Sequence, residues 1–278
     1  MALIALAADK GGPGVTTAAT ALAAVWPRPA LLAECDAAGG DLAYRLPADG
    51  GRPLDPGRGL LSLGAVARKG LTLPQINEHT QRLVGGLAVL AGIGSAEQAG
   101  GLTWLWEPLA QALRAMPGTD VIADCGRVGS YPAINGLLAG ADLVVLFARP
   151  QLDQVAHLRD RVTTMGNMLA ERTRTPPALG VVVVAEPKEF SRAIGEVRRV
   201  MAAAGLPDLV LGGLAYDPKG AELLRGEWGG RLDRTLLIRS ARELAANLQA
   251  RVAHRAATGP TPPGPPPSGP PAHQRSGA

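Results

Sequence analysis

Aromatic residues, cysteines and long apolar runs are all scarce in this sequence. Aromatic residues make up only 3% of the 278 residues, so a core has to be built from Leu, Val and Ala. No apolar run approaches the roughly 20 residues of a membrane-spanning helix, and the first residues lack the basic region of a signal peptide. Because 46% of the residues are apolar, the chain can still bury one substantial core. We therefore expect a cytoplasmic protein with one large domain and no integral membrane segment.

The two cysteines and four histidines show no pattern of a metal site. Cys35 and Cys125 each end an apolar run. Buried, reduced thiols are the favoured interpretation, and a disulfide or redox pair is the alternative. The histidines are scattered without ligand spacing, which predicts a structural or solvated role. The net charge of +4 allows an acidic partner but does not require one.

Apolar runs suited to buried parallel strands recur along the chain. They cover residues 3–8, 30–35, 87–91, 121–125, 143–148, 181–185 and 209–215. Helical patterns lie between them at 16–25, 151–171 and 190–204, and a capping box at Ser240 and Glu243 predicts a last helix. This alternation predicts an α/β fold with a doubly wound, mostly parallel sheet and helices on both faces.

The composition changes near the C-terminus. We assign residues 1–257 to the α/β domain. Residues 258–278 are mainly Pro, Gly and Ser, which cannot bury a core, so they predict a disordered or polyproline-like tail. Residues 47–59, rich in Pro, Gly and Asp, predict a loop within the domain.

A glycine-rich stretch follows the first predicted strand and precedes the first predicted helix. It reads Asp9-Lys10-Gly11-Gly12-Pro13-Gly14-Val15-Thr16-Thr17. In this setting, backbone N–H groups and a helix N-terminus can point at one phosphate. The hydroxyl of Thr16 could then reach a phosphate-bound Mg²⁺. The alternative is a glycine-rich turn that binds nothing.

Acidic residues follow two other predicted strands. Glu34 and Asp36 follow the second strand, and Asp124 ends the apolar run 121–125. Ligands of doubly wound sheets bind at the carboxyl ends of the strands. Asp124 therefore has the form of a Walker B acid, which holds Mg²⁺ directly or through water.

The stretch K-G-G-x-G-x-T-T at residues 10–17 resembles the deviant Walker A loop of the MinD/ParA family, a SIMIBI-class group of P-loop NTPases. The chain has only four lysines, so a lysine at this point is informative. The resemblance implies a homodimer in which Lys10 reaches the partner's nucleotide. It further implies that Asp36 orients the attacking water and that Thr16 and Asp124 hold Mg²⁺. The implied ATP-binding residues are Lys10, Gly11, Gly12, Gly14, Val15, Thr16 and Thr17. Glu34 would either hold a metal-bound water or cap a loop.

Within that family, the sequence is most similar to the CpaE/TadZ branch, which positions pilus machinery. The stretch E-C-D-A-A-G-G-D-L-A at residues 34–43 resembles the D-x-D-x-x-x-G-D-L-A passage of that branch. Residues 85–97, 141–146 and 216–219 resemble later passages in the same order. The similarity covers about residues 2–252.

Four departures from the family pattern predict weakened nucleotide binding and hydrolysis. Val15 replaces the lysine that would bridge the β- and γ-phosphates, and Pro13 removes one N–H donor. Asp9 places a carboxylate beside the phosphates, where it would repel them or pair with Lys10. The stretch 185–187, Ala-Glu-Pro, lacks the Asn that reads adenine in the family. We expect weak ATP binding and slow or absent hydrolysis, since each missing charged contact costs about 1.5–3 kcal/mol.

The resemblance implies a nucleotide-binding spatial organiser with a protein partner in a positioning, pilus or secretion system. One alternative is a non-enzymatic scaffold that binds no nucleotide. Another is a ParA-like partitioning ATPase that binds DNA. The arginines that could form a DNA-binding face, or more simply a solvated surface, are Arg192, Arg198, Arg199, Arg231, Arg234, Arg239 and Arg242.

Overall fold

An eight-stranded sheet organises the part of the chain that the computed structural model describes, residues 1–129, 132–226 and 230–258. The buried apolar runs predicted from the sequence form its strands. The strands are β1 (Leu3–Ala8), β2 (Ala30–Glu34), β3 (Gln81–Arg82), β4 (Ala88–Leu90), β5 (Asp120–Arg127), β6 (Leu143–Ala148), β7 (Ala178–Ala185) and β8 (Val210–Ala215).

The strand order is β3-β4-β2-β5-β1-β6-β7-β8, so the glycine-rich loop leaves a central strand. All neighbouring strands are parallel except β3 and β4. In β1, Leu3 and Ala5 face one layer of the core, whereas Ile4 and Leu6 face the other. A strand buried on both faces needs a continuous apolar run, and this requirement explains the pattern seen in the sequence.

Helices cover both faces of the sheet. They are α1 (Val15–Ala24), α2 (Leu42–Arg45), α3 (Leu60–Val66), α4 (Leu73–His79), α5 (Ala96–Gly101), α6 (Trp106–Arg114), α7 (Asn135–Gly140), α8 (Leu152–Arg172), α9 (Phe190–Ala203), α10 (Pro218–Leu224) and α11 (Leu236–Thr258). Apolar residues of α3 to α9 pack on one face, and those of α1, α2, α10 and α11 pack on the other. The predicted doubly wound α/β fold is therefore confirmed.

The start of the last helix differs from the prediction. Helix α11 begins at Leu236, one turn before the predicted capping box. Thr235 caps it, because its hydroxyl accepts a hydrogen bond from the N–H of Ile238. Ser240 instead lies inside the helix, where its hydroxyl accepts a hydrogen bond from Ala215 N at 2.9 Å and ties the helix to the end of β8.

Both cysteines are buried free thiols, as the favoured interpretation predicted. Burial raises the pKa of each thiol well above its usual value, so neither is a ready nucleophile. None of the helices described is long and apolar enough to cross a membrane. The proposed tail, apart from Thr258 at the end of α11, lies outside the described residues.

Candidate functional site

The glycine-rich stretch forms the predicted strand, loop and helix. Gly11, Gly12 and Gly14 have positive φ angles of 79°, 52° and 89°, a region that residues with a Cβ rarely adopt. The first turn of α1 closes when Ala18 N donates to Gly14 O at 2.9 Å. A Cβ on Gly11 would lie only 2.5 Å from Cδ of Gln154 on α8. The loop thus has the curled backbone that phosphate binding requires, and α8 packs directly against it.

Thr16 and Asp124 meet at the carboxyl end of the sheet. Leu6 of β1 pairs with Asp124 of β5, so the start of α1 lies beside the end of β5. Asp124 is 1% exposed, and burial raises its pKa to about 6, with the nearby charges of Glu34 and Asp36 adding to the rise. Hydrogen bonds from the Thr16 side chain and from Gly126 N lower it in part. A hydroxyl beside a carboxylate is a donor set that fits Mg²⁺ when phosphate oxygens and water complete the octahedron.

Asp36 lies against the same part of β5. Its carboxylate accepts a hydrogen bond from Ala38 N at 2.8 Å. Gly126 has a φ of 55°, and a Cβ there would lie 1.8 Å from Oδ2 of Asp36, so only glycine leaves room for this carboxylate. Burial raises the pKa of Asp36, and the charge of Arg127 lowers it. The structure therefore brings together the predicted water-orienting acid and the predicted metal ligand.

Glu34 caps a loop, which was one of the two alternatives for this residue. Its carboxylate accepts hydrogen bonds from Leu42 N at 2.9 Å and from Gly92 N at 2.8 Å. A Cβ on Gly40 would also collide with this carboxylate, at 2.2 Å from Cδ. Glu34 thus fixes the loop that carries Asp36, and its two oxygens are occupied by backbone donors.

Of the two alternatives for Asp9, the pair with Lys10 is wrong, and repulsion of phosphate stays a prediction. Asp9 forms an ion pair with Arg161 of α8 at 2.5 Å, and both side chains are nearly buried. Arg161 also donates from Nη1 to Gly129 O at 2.9 Å, so it joins the glycine-rich loop to the segment after β5. Lys10 is exposed and forms no ion pair with any residue that the structure describes.

Val15 and Pro13, both part of the glycine-rich stretch, are buried. Val15 is 6% exposed and belongs to the apolar core between α1 and the sheet. Its side chain therefore packs in the core and adds no charge to the loop. The position of the family's P-loop lysine is thus occupied by a buried apolar side chain. Thr16 and Thr17, which follow it, remain half-buried at the loop.

A cavity of about 190 Å³ opens beside the loop, and sequence reasoning missed one of its residues, Arg149. Pro13, Gly14 and Thr17 line one side, and Tyr216 lines the other. Arg149 follows β6, the strand next to β1, so the rule that ligands bind at carboxyl ends of strands could have identified it. A larger cavity of about 790 Å³ lies at the opposite, amino-terminal end of the strands and contacts none of the predicted site residues.

Most of the arginines that could form a DNA-binding face have local partners. Arg192 pairs with Glu196, Arg198 with Asp208, and Arg231 with Asp233. Arg199 and Arg242 donate to backbone oxygens. These contacts favour the solvated-surface interpretation. Among the described residues, no group of three or more His, Cys, Asp or Glu side chains could hold a metal ion.

Comparison with known proteins finds similar solved structures but no match by sequence. No protein-family model matches the chain, and no curated protein matches its sequence. A ParA family ATPase from Chlorobium tepidum TLS has a TM-score of 0.66 at 14% identity, over 88% of this chain and 98% of that one. The septum site-determining protein MinD of Pyrococcus horikoshii OT3, complexed with Mg-ADP, has a TM-score of 0.60 at 12% identity, over 91% and 98%.

A third neighbour has a different function. A cobyrinic acid a,c-diamide synthase from Mycobacterium smegmatis, with a bound ATP analogue and magnesium, has a TM-score of 0.63 at 18% identity, over 94% of this chain and 98% of that one. These TM-scores show that the chain has a P-loop NTPase-like fold. Since solved proteins with this fold include a ParA family ATPase, a septum site-determining protein and a synthase, function has to be argued from the site.

Proposed function

We infer that this protein is a MinD/ParA-type nucleotide switch that binds Mg-ATP weakly, dimerises and acts as a spatial organiser. The observation that carries this proposal is the contact of Thr16 with Asp124 beside the curled glycine loop, with Asp36 packed against Gly126. Three separate strand ends contribute these residues. A turn that binds nothing would not need a buried carboxylate at the hydroxyl of its first helical turn.

Thr16 and Asp124 would hold the Mg²⁺ of a bound nucleotide. The ion would neutralise phosphate charge. The buried Asp124 carboxylate carries a raised pKa, so a cation beside it would relieve an electrostatic cost that the unliganded protein bears. Asp36 would orient water for hydrolysis, and we expect slow turnover because Val15 leaves the phosphates without the in-cis lysine.

The side of the 190 Å³ cavity formed by the glycine-rich loop would face the phosphates, and its apolar part would receive the ribose and base of the nucleotide. Val184, Leu214 and Tyr216 line it, so apolar contacts dominate. Residues 185–187 lack the Asn that reads adenine in the family. The cavity is below the roughly 300–1,000 Å³ of ordinary ligand pockets, which supports weak binding with poor discrimination between bases.

Exposed side chains at the carboxyl-end face of the sheet support dimerisation through that face. Lys10 is exposed, whereas Asp9 is already neutralised by Arg161. Leu152, at the start of α8, is 83% exposed, and Tyr44, on α2, is 80% exposed. Both follow the carboxyl ends of strands, as Lys10 does. Their burial in a homodimer would remove apolar surface from water and bring Lys10 to the partner's nucleotide.

We place the protein in the CpaE/TadZ-like branch, with a partner in a pilus, secretion or other positioning system. The segments at residues 34–43 and 216–219 support this assignment. The local pairing of the arginines favours a protein partner over DNA.

A scaffold that binds no nucleotide is the second candidate. Val15 is packed in the core, Pro13 provides no N–H, and Gln154 lies against Gly11. Together these features describe a loop that keeps its backbone shape but has lost hydrogen-bond donors for phosphate.

Val15→Lys separates the two functions. If the loop binds ATP, the added cation should tighten binding by about tenfold, as measured by titration of fluorescent ATP with Mg²⁺. Val15→Met is the matched control, because it adds length without charge. Asp36→Ala in the Val15→Lys background should keep the binding and remove any gain in hydrolysis. If Val15→Lys lowers the melting temperature while neither form binds ATP, the scaffold is correct and the switch is wrong.

A further inference from the structure

The residue after β6 lies at the same edge of the sheet as the glycine-rich loop. Strands β1 and β6 are parallel neighbours in which Ala7 pairs with Leu146. Lys10 and Arg149 each lie three residues beyond this pair. The two cationic residues thus follow adjacent strands at equivalent positions. Lys10 lies on the glycine-rich loop, and Arg149 lies on the connection to α8.

Arg149 shares a cavity with the loop. Pro13, Gly14 and Thr17 line one side of this cavity of about 190 Å³, and Arg149, Tyr216 and Asp217 line the other. The Arg149 guanidinium lies 4.4 Å from the centroid of the Tyr216 ring, which orients the cation without neutralising it. The backbone N–H of Arg149 donates to Gln154 Oε1 at 3.2 Å, so the residue is also anchored through its main chain.

The guanidinium of Arg149 has no polar partner among the residues that the structure describes. Its Nε is buried and makes no hydrogen bond. Asp217 lines the same cavity, but its carboxylate already accepts hydrogen bonds from Gly220 N and Leu237 N. A buried donor without an acceptor is costly, and a ligand with anionic oxygens would remove that cost.

Arg161 provides the contrast. It also approaches the loop, but its guanidinium is committed to the Asp9 carboxylate and to Gly129 O. Of these two arginines, one cancels the negative charge that the loop carries and the other retains its positive charge. Arg149 therefore provides a positive charge beside the loop, which Val15 cannot provide.

We propose that Arg149 binds the phosphate chain of the nucleotide and replaces the charge that the loop lacks at Val15. This inference rests on the proposed function, since it assigns a further residue to the same site. An arginine fork can donate two parallel hydrogen bonds to phosphate oxygens. Arg149→Gln should therefore weaken binding by about ten- to a hundredfold, while Arg149→Lys should retain part of the affinity.

The test is a set of binding titrations with two probes, Mg-ATP and inorganic tripolyphosphate. The variants are Arg149→Gln, Arg149→Lys and the control Arg159→Gln, which removes an exposed arginine of α8 that pairs with Asp160. We expect Arg149→Gln to weaken the binding of both probes and Arg159→Gln to change the binding of neither. Melting curves of each variant show whether it is folded. Val15→Lys in the Arg149→Gln background should restore much of the lost affinity, which a purely structural role of Arg149 would not predict.

The outcomes distinguish this inference from the proposed function. If the natural protein binds neither ATP nor tripolyphosphate, both are wrong. If it binds both probes and folded Arg149→Gln binds them equally well, only the role of Arg149 is overturned. A loss confined to ATP, with tripolyphosphate unchanged, would mean that Arg149 contacts the base and would also overturn the proposal.

Discussion

The ion pair between Asp9 and Arg161 should determine both the stability of the glycine-rich loop and its affinity for phosphate. The side chains are only 10% and 12% exposed, with 2.5 Å between the charged atoms. Removing one partner of a buried pair costs about 3–5 kcal/mol, because the other charge stays buried and unpaired. Since these side chains keep some exposure, we expect Arg161→Leu to lower the free energy of unfolding by about 3 kcal/mol.

The single variants Arg161→Leu and Asp9→Asn should change the affinity for ATP in opposite directions. Arg161→Leu leaves a bare carboxylate next to the loop, so ATP affinity should fall by about tenfold or more. Asp9→Asn leaves an unpaired guanidinium near the loop, so ATP affinity should rise, although the protein is again destabilised. In the double variant neither charge remains, and both stability and affinity should return close to those of the natural protein.

Urea unfolding and ATP titration of the four forms complete this double-mutant cycle. Arg159→Gln is the control, because its side chain pairs with Asp160 at the exposed surface of α8 and should change stability by less than about 1 kcal/mol. Equal losses of ATP affinity in both single variants would refute the electrostatic argument. Additive losses of stability would show that the pair contributes no coupling energy.

Three further predictions concern separate parts of the molecule. Burial raises the pKa of Asp124 from 3.8 to about 6, so the stability contributed by its protonated form is lost as the pH rises through 6. Asp124→Asn should therefore be more stable than the natural protein at pH 8, by up to about 3 kcal/mol, and as stable as the natural protein at pH 3. A difference in unfolding free energy between the two proteins that does not change with pH, measured by urea unfolding, would contradict this. Lys10→Ala should abolish ATP-dependent self-association in sedimentation and leave the melting temperature unchanged, whereas an unaltered profile would exclude a role in trans. Ending the chain after Ala257 should not change the melting temperature, because the removed composition buries nothing, and a clear drop would show that the tail packs on the domain.

The fold could be predicted because its strands are buried on both faces. Such strands need continuous apolar runs, and the predicted 143–148 coincides with β6 at both ends. The two-residue strand β3 was missed, because an edge strand of that length leaves no periodic signal. The start of α11 was also missed: Ser240 and Glu243 match a capping pattern, but Thr235 caps the helix one turn earlier.

The candidate site was predictable where it follows from strand ends. Thr16, Asp36 and Asp124 each lie just after an apolar run, and the rule for parallel sheets brings such positions together. The partner of Asp9 was not predictable, since Arg161 lies 152 residues away on a helix whose arginines look alike in sequence. Arg149 was overlooked for a related reason: an arginine before a proline looks like an ordinary loop residue until the strand order is known.

The most direct test of the central claim is the binding of labelled ATP with and without Mg²⁺. Three forms are compared, the natural protein, Thr16→Ala and Asp124→Asn, and melting curves establish that each is folded. We predict weak binding by the natural protein that Mg²⁺ strengthens, and loss of that Mg²⁺ effect in both variants, because the hydroxyl and the carboxylate together hold the ion. Absence of binding at millimolar ATP, or binding that Mg²⁺ and both substitutions leave unchanged, would contradict the account.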